Sequence, residues 1–196
     1  MYSTTLRERY DAEARTYDRT RYNTRSGRRY EKARTRIIDS QLPRQGRFLD
    51  IAVGTGRSSE GLGRRFVGVD FSMEMMLRGR NRPPLVQADA FWLPFADLVF
   101  SGAICCRLMQ MIPINRYLAF GAEAVRVLAP GAPLVVELWH TDDPYDCRRL
   151  NSWGLYDTFV HPSHLPDLFR PWMRWIYQSG RFNETGSFIA VYQESP

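Results

Sequence analysis

Three aspartates and a pair of glycines carry the most evident chemistry in this chain. Asp50 lies in the apolar run RFLDIAV (47–53), which leads into Gly54-Thr55-Gly56. Asp70 closes a second run, FVGVDF (66–71), and Asp89 follows a third, PPLVQADA (83–90). A Gly-x-Gly turn after a strand lets a ligand approach the backbone and meet the amides that open a helix. A carboxylate beside that turn attracts an ammonium group and repels a pyrophosphate. An acid at the end of the second strand can accept hydrogen bonds from both ribose hydroxyls, and one after the third can accept from an adenine amine. Each aspartate alone is also an ordinary turn residue at a strand end. Together, in this order, they describe a site for a cationic nucleoside that carries an amino acid: S-adenosylmethionine (SAM), with S-adenosylhomocysteine (SAH) left after reaction. A dinucleotide matches less well, because Ser59 stands where the third glycine of its loop would fall.

The elements that must position these residues follow from the hydrophobic pattern. Residues 4–22 and 28–42 read as helices, with Ser26-Gly27 as the break before the second. Short apolar runs at 47–53, 66–71, 83–90, 98–106 and 133–139 read as strands buried on both faces. A polar helix is expected to start at Ser58-Ser59-Glu60, and another over 115–128, capped by Asn115 and stopped by Pro130-Gly131. WMRWIYQSGRF (172–182) and SFIAVYQE (187–194), joined by Asn183-Glu184-Thr185-Gly186, read as a β-hairpin. Strands alternating with helices mean a doubly wound, mostly parallel α/β sheet in one domain spanning 1–196, with ligands at the carboxyl ends of the strands.

At this point the motifs resemble a family. FLDIAVGTGR, VGVDFSMEMM, VQADAFWLPFAD and AVRVLAPGAPLVVEL are similar, in order, to the motifs of class I SAM-dependent methyltransferases. The nearest subgroup includes the ubiquinone and menaquinone biosynthesis enzymes and many small-molecule methyltransferases. The lead-in YDRTRYN resembles that subgroup's Tyr-Asp segment, which covers the cofactor. The resemblance spans about residues 15–139 and implies a Rossmann-like sheet of seven strands, with N-terminal helices over the cofactor. It implies that Asp50, Ala52, Gly54 and Gly56 hold the methionine end, Asp70 the ribose, and Asp89 with Ala90 the adenine. Phe71 and Met75 would pack on the adenine, with Phe91 flanking it, and Cys106 and Arg107 would lie near the sulfonium. The chain departs from the pattern at Ala52, which replaces the first loop glycine, at Ser101 and Ala132, and at Met111, where a histidine is common.

Methyl transfer from a sulfonium is an in-line displacement on an activated carbon, so holding the nucleophile in line can supply most of the catalysis. A base is needed only where the nucleophile must lose a proton. His140, after the fifth strand, and Tyr17, in the lead-in, are the candidates; a strand-end turn accounts for His140 equally well. Residues 139–171 belong to no shared motif and are the expected substrate-recognition region. Trp139, Tyr145, Trp153 and Tyr156 could stack on a planar acceptor or form that region's own core, with Tyr22 and Met111 contributing from elsewhere.

Composition limits the partners. Hydrophobic residues make up 44% of the chain and charged ones 24%, the balance of a folded soluble protein. No run reaches the roughly 18 apolar residues of a membrane span, and the N-terminus lacks the apolar core of a secretory signal. Three cysteines without an export signal suggest reduced thiols in a cytoplasm, and no Cys or His pair has zinc spacing. Residues 1–46 hold eleven Arg and Lys32 against six acids, while 47–196 balance, so the net charge of +6 sits in the lead-in. That segment is either a solvated helical face or a guide for an anionic partner. A small-molecule acceptor is the expected substrate. The alternatives are an RNA or protein methyltransferase guided by the lead-in, and a SAM-binding protein without transfer activity. With no cap domain inserted, a second copy in a homodimer is one way to complete the pocket.

Overall fold

The computed structural model describes residues 2–79, 83–151, 154–181 and 186–195. Helices α1 (Tyr2–Glu13), α2 (Tyr17–Arg21) and α3 (Arg25–Gln41) precede the first strand, β1 (Arg47–Ile51). Then come β2 (Arg65–Asp70), α4 (Met73–Arg78), β3 (Leu85–Gln87), β4 (Gly102–Cys105), α5 (Tyr117–Val127) and β5 (Leu134–Trp139). A small hairpin of β6 (Arg148–Leu150) and β7 (Tyr156–Thr158) stands apart, and β8 (Met173–Gln178) and β9 (Ser187–Glu194) finish the chain. The main sheet has seven strands in the order β3-β2-β1-β4-β5-β9-β8. Strands β1 to β5 run parallel, β9 pairs antiparallel with β5, and β8 pairs antiparallel with β9.

The continuous apolar character of the central strands follows from cover on both faces. On one face Leu49, Ile51, Ala103, Leu134 and Val136 meet Phe120, Ala124 and Val127 of α5. On the other, Phe48, Ile104, Val135 and Ile189 meet Ile38 and Leu42 of α3. The edge strand β8 instead exposes Trp175, Ile176 and Tyr177. No helix among the described residues is long and apolar enough to cross a membrane.

Several expected boundaries differ. The helix read over 4–22 is split, because α1 ends at Glu13 and α2 starts at Tyr17. Ser26-Gly27 is not a break but the first turn of α3, whose N-cap Thr24 accepts from the Gly27 N–H. Glycine is required there because a Cβ would stand 2.6 Å from the Arg21 carbonyl oxygen, where α3 crosses α2. The helix expected from Ser58 is absent: residues 52–64 form turns, and Gly61 and Gly63, with φ of 79° and 62°, stop any helix after one turn. Asn115 lies in a 3₁₀ turn, Ile114–Arg116, and does not cap α5. The turn read at Asn183–Thr185 lies outside the described residues.

Candidate cofactor site

Parallel pairing brings the carboxyl ends of β1, β2 and β4 side by side, and the loop 52–56 rises between them. Its backbone is left-handed at Ala52, Gly54 and Gly56, with φ of 60°, 52° and 83°. Asp70 fastens the loop to β2. Its Oδ2 accepts from the Gly54 N–H at 2.8 Å and its Oδ1 from the Ser72 N–H at 2.9 Å. Burial outweighs these amides and raises the Asp70 carboxyl to about 6. Asp50 is wholly buried, beside Ser59 and Arg34. Burial pushes it up to about 7, against the opposing pull of Ser59 and Arg34.

The lead-in is locked onto this loop by polar contacts. Thr55 donates to Asp18 at 2.7 Å, and Arg57 pairs with Asp18 at 3.1 Å and with Glu31 at 2.8 Å. Ser72, which caps α4 by accepting from the Met75 N–H, donates in turn to Asp11 of α1. Tyr10, Tyr17 and Tyr22 line up behind these contacts, with centroids 6.2 Å and 5.9 Å apart in succession.

Two cavities result, of about 60 Å³ and about 360 Å³, and both are lined by Ala52, Asp70 and Phe71. The smaller one brings together Tyr17, Tyr22, Gly54, Met75, Cys106, Arg107 and Met111. The larger one adds Asp89, Ala90 and Phe91. Asp89 accepts from the Phe91 N–H at 3.0 Å, and the Arg116 guanidinium lies 4.0 Å from the Phe91 ring centre. Asp50 and Gly56 line neither cavity; they belong to the strand and turn that support the loop.

No described residue of 139–171 lies on either wall. His140 is held by backbone bonds to Gly186 and a bridge to Val160, and its ring packs on Phe188. Burial and the neighbouring Arg181 lower its pKa, and it lies outside both cavities. Trp139 packs on Phe159, Tyr145 is 95% exposed, and Tyr156 lies under the Arg148 guanidinium on the β6–β7 hairpin. Trp153 lies outside the described residues.

Sequence reasoning missed Tyr10, Arg57 and Leu108 in the smaller cavity and Arg116 in the larger. Arg57 had a local signal, since it follows the glycine turn directly. It also missed a buried network behind the site. The Tyr30 hydroxyl lies 2.7 Å from both Glu137 carboxylate oxygens, and Arg34 donates to Tyr30 at 3.1 Å and stands 4.0 Å from Glu137. Tyr30 and Glu137 are 107 residues apart, so no spacing could reveal the pair.

Comparison with known proteins agrees with this geometry. Residues 49–136 match the family model described as a methyltransferase domain. A demethylmenaquinone methyltransferase of Beutenbergia cavernae is 37% identical over 78% of this chain and 65% of its own length. A phosphatidylethanolamine N-methyltransferase of Cereibacter sphaeroides is 31% identical over 64% of this chain and 67% of its own. The chain spans less than two thirds of the demethylmenaquinone methyltransferases it matches, 58% in Corynebacterium urealyticum. The same fold occurs in the crystal structure of Burkholderia thailandensis 1,6-didemethyltoxoflavin-N1-methyltransferase with bound S-adenosylhomocysteine. That protein is 18% identical, with a TM-score of 0.79 over 100% of this chain and 89% of that one. The strand order, the glycine loop pinned by the acid of β2, and these matches lead to one statement: the chain belongs to the class I SAM-dependent methyltransferase family.

Proposed function

We propose that this chain transfers a methyl group from SAM to O, N or C of a small organic molecule. The groove at the strand ends, where both cavities share Ala52, Asp70 and Phe71, is the observation that supports this most. Its residues fit the cofactor. Each Asp70 oxygen keeps a free lone pair after binding its backbone amide, enough for two ribose hydroxyls. Asp89 and Ala90 share the larger cavity with Phe71 and Phe91 and are the proposed adenine contacts, with Met75 on the adjoining smaller cavity. Asp50, buried beneath the loop beside Ser59 and Arg34, is the proposed source of negative charge for an ammonium group above it.

When bound, SAM supplies an electrophilic methyl group on its sulfonium. The chain supplies alignment and exclusion of water. Tyr10, Tyr17 and Tyr22 line the smaller cavity, of about 60 Å³, and form the proposed wall between the bound cofactor and water. Tyr22 and Met111 are the proposed acceptor contacts. Tyr17, on the wall of the smaller cavity, is the proposed proton carrier. Burial raises the hydroxyls of Tyr10 and Tyr22 above the ordinary tyrosine value. Proximity is therefore the main catalytic contribution. The relatives named for demethylmenaquinone and phosphatidylethanolamine favour a small organic acceptor. The free thiols Cys105, Cys106 and Cys147 suit a reducing cytoplasm.

The test is incubation of the purified chain with methyl-labelled SAM and separate pools of quinols, phenols, amines and aromatic acids. Label in a small-molecule product supports the proposal. Label in none of them, from a chain that binds SAH, leaves a binding protein in its place.

A further inference from the structure

One arginine on the wall of the smaller cavity forms no ion pair among the described residues. Arg34 and Glu137 face each other through Tyr30, and Arg57 has both Asp18 and Glu31. The Asp70 carboxylate is held by backbone amides. Arg107 remains. It follows β4 with its backbone left-handed at φ 65°, a conformation that costs a non-glycine residue and is retained mostly at ligand clamps. Its Nε is buried without a hydrogen-bond partner, and no acid among the described residues forms an ion pair with it. Its neighbours are the Tyr17, Tyr22 and Tyr30 side chains, the Tyr30 ring centre lying 6.0 Å away, and Glu137 also acts on its charge. A half-buried guanidinium without an ion pair gains when an anion arrives.

Building on the methyltransferase reading, we infer that Arg107 anchors the carboxylate of a planar, anionic acceptor that enters beside Tyr17 and Tyr22. The planar fork of a guanidinium matches a carboxylate through two parallel bonds, and the tyrosine walls match an aromatic ring. The cofactor's own carboxylate has another place to go. The N–H groups of Thr55 and Ser58, both on the cavity wall, are taken by no backbone carbonyl. A guanidinium near a sulfonium also repels it, so an anion between them lowers the energy of the ternary complex. The acceptor class is thus an aromatic carboxylic acid.

The test is calorimetric titration of the SAH-loaded chain with 4-hydroxybenzoate and with its neutral match, 4-hydroxybenzamide. The acid should bind at least tenfold more tightly than the amide. Arg107→Gln should erase that preference, and Arg107→Lys should restore part of it while each variant keeps a cooperative melt. Equal binding of the two probes, or binding of neither, by a chain that does bind SAH overturns this inference alone. Loss of SAH binding in Arg107→Gln assigns the residue to the cofactor and overturns it too. Failure of the wild-type chain to bind SAH overturns the methyltransferase reading and this inference together. If Arg107→Gln does not fold, the acid–amide comparison on the wild-type chain and on Arg107→Lys still decides.

Discussion

Replacing Asp70 with Asn keeps the size of the side chain and removes its charge. In the folded chain both carboxylate oxygens accept backbone N–H groups, from Gly54 at 2.8 Å and Ser72 at 2.9 Å. An amide offers one acceptor and one donor, so one of these amides would face an NH₂ group. The proposed ribose bonds would also lose their charged acceptor, worth roughly 1.5–3 kcal/mol. SAH should therefore bind roughly 10- to 150-fold more weakly, because each 1.4 kcal/mol is about tenfold. A pH signature goes with this. In the free chain the Asp70 carboxyl is raised to about 6, while hydroxyl donors prefer the ionised form. Binding must then release a proton below pH 6, and affinity must rise with pH. The ionised fraction is about one tenth at pH 5 and about nine tenths at pH 7, so wild-type affinity should fall about tenfold between pH 7 and pH 5. Asp50, raised to about 7, adds a change of the same sign at higher pH, and the Asp70→Asn variant isolates the Asp70 part. Calorimetry at pH 5, 6 and 7 in two buffers of different ionisation heat reads both affinity and proton release. A variant that binds SAH within threefold of wild type, with the whole pH dependence intact, would refute the assignment.

Asp50→Asn should act in the opposite sense on stability. A carboxyl raised from 3.8 to about 7 by burial favours the fold while protonated, and that benefit is lost as pH rises through about 7. Thermal melts of the free chain at pH 8 should show the variant more stable, by up to the order of 4 kcal/mol, with a gain of about 1.5 kcal/mol at pH 5 and none near pH 3; a gain that does not grow between pH 5 and pH 8 would contradict this. Tyr30→Phe removes both 2.7 Å contacts to Glu137 and leaves only Arg34, at 4.0 Å, facing a fully buried charge. Urea unfolding should register a loss of about 2–4 kcal/mol, and a loss under 1 kcal/mol would mean Glu137 finds another partner. Gly27→Ala places a Cβ against the Arg21 carbonyl, where only backbone can yield. It should cost about 2 kcal/mol in urea unfolding and weaken SAH binding by displacing Tyr22; unchanged stability would show that α2 and α3 can separate freely.

What could be read from the chain was what local rules impose. Central parallel strands must be apolar on both faces, so RFLDI and LVVELW announced themselves, and Asp70, alone an ordinary turn residue, was legible through its place in the ordered series of three strand-end aspartates. Asp18 contacts the glycine loop through Thr55 as the Tyr-Asp lead-in implied. Long-range outcomes stayed hidden. The aromatic residues of 139–171 looked suited to a planar acceptor, but composition does not say which way a segment turns. Trp139 and Thr141 pair with Val160, and Thr158 of the same region donates to the carbonyl of Ile112, a residue that lines the larger cavity. Gly61 and Gly63 erased a helix that the serines before them seemed to start. That Arg107 forms no ion pair among the described residues could be seen only in the folded chain.

The most direct measurement is calorimetric titration of the purified chain with SAH, SAM and NAD at pH 7.5. Micromolar binding of SAH and SAM at one site per chain, with no heat from NAD, is the expected result. Binding of NAD, or of none of the three by a chain with a cooperative melt, would contradict the reading of the groove at Asp70 as a SAM site.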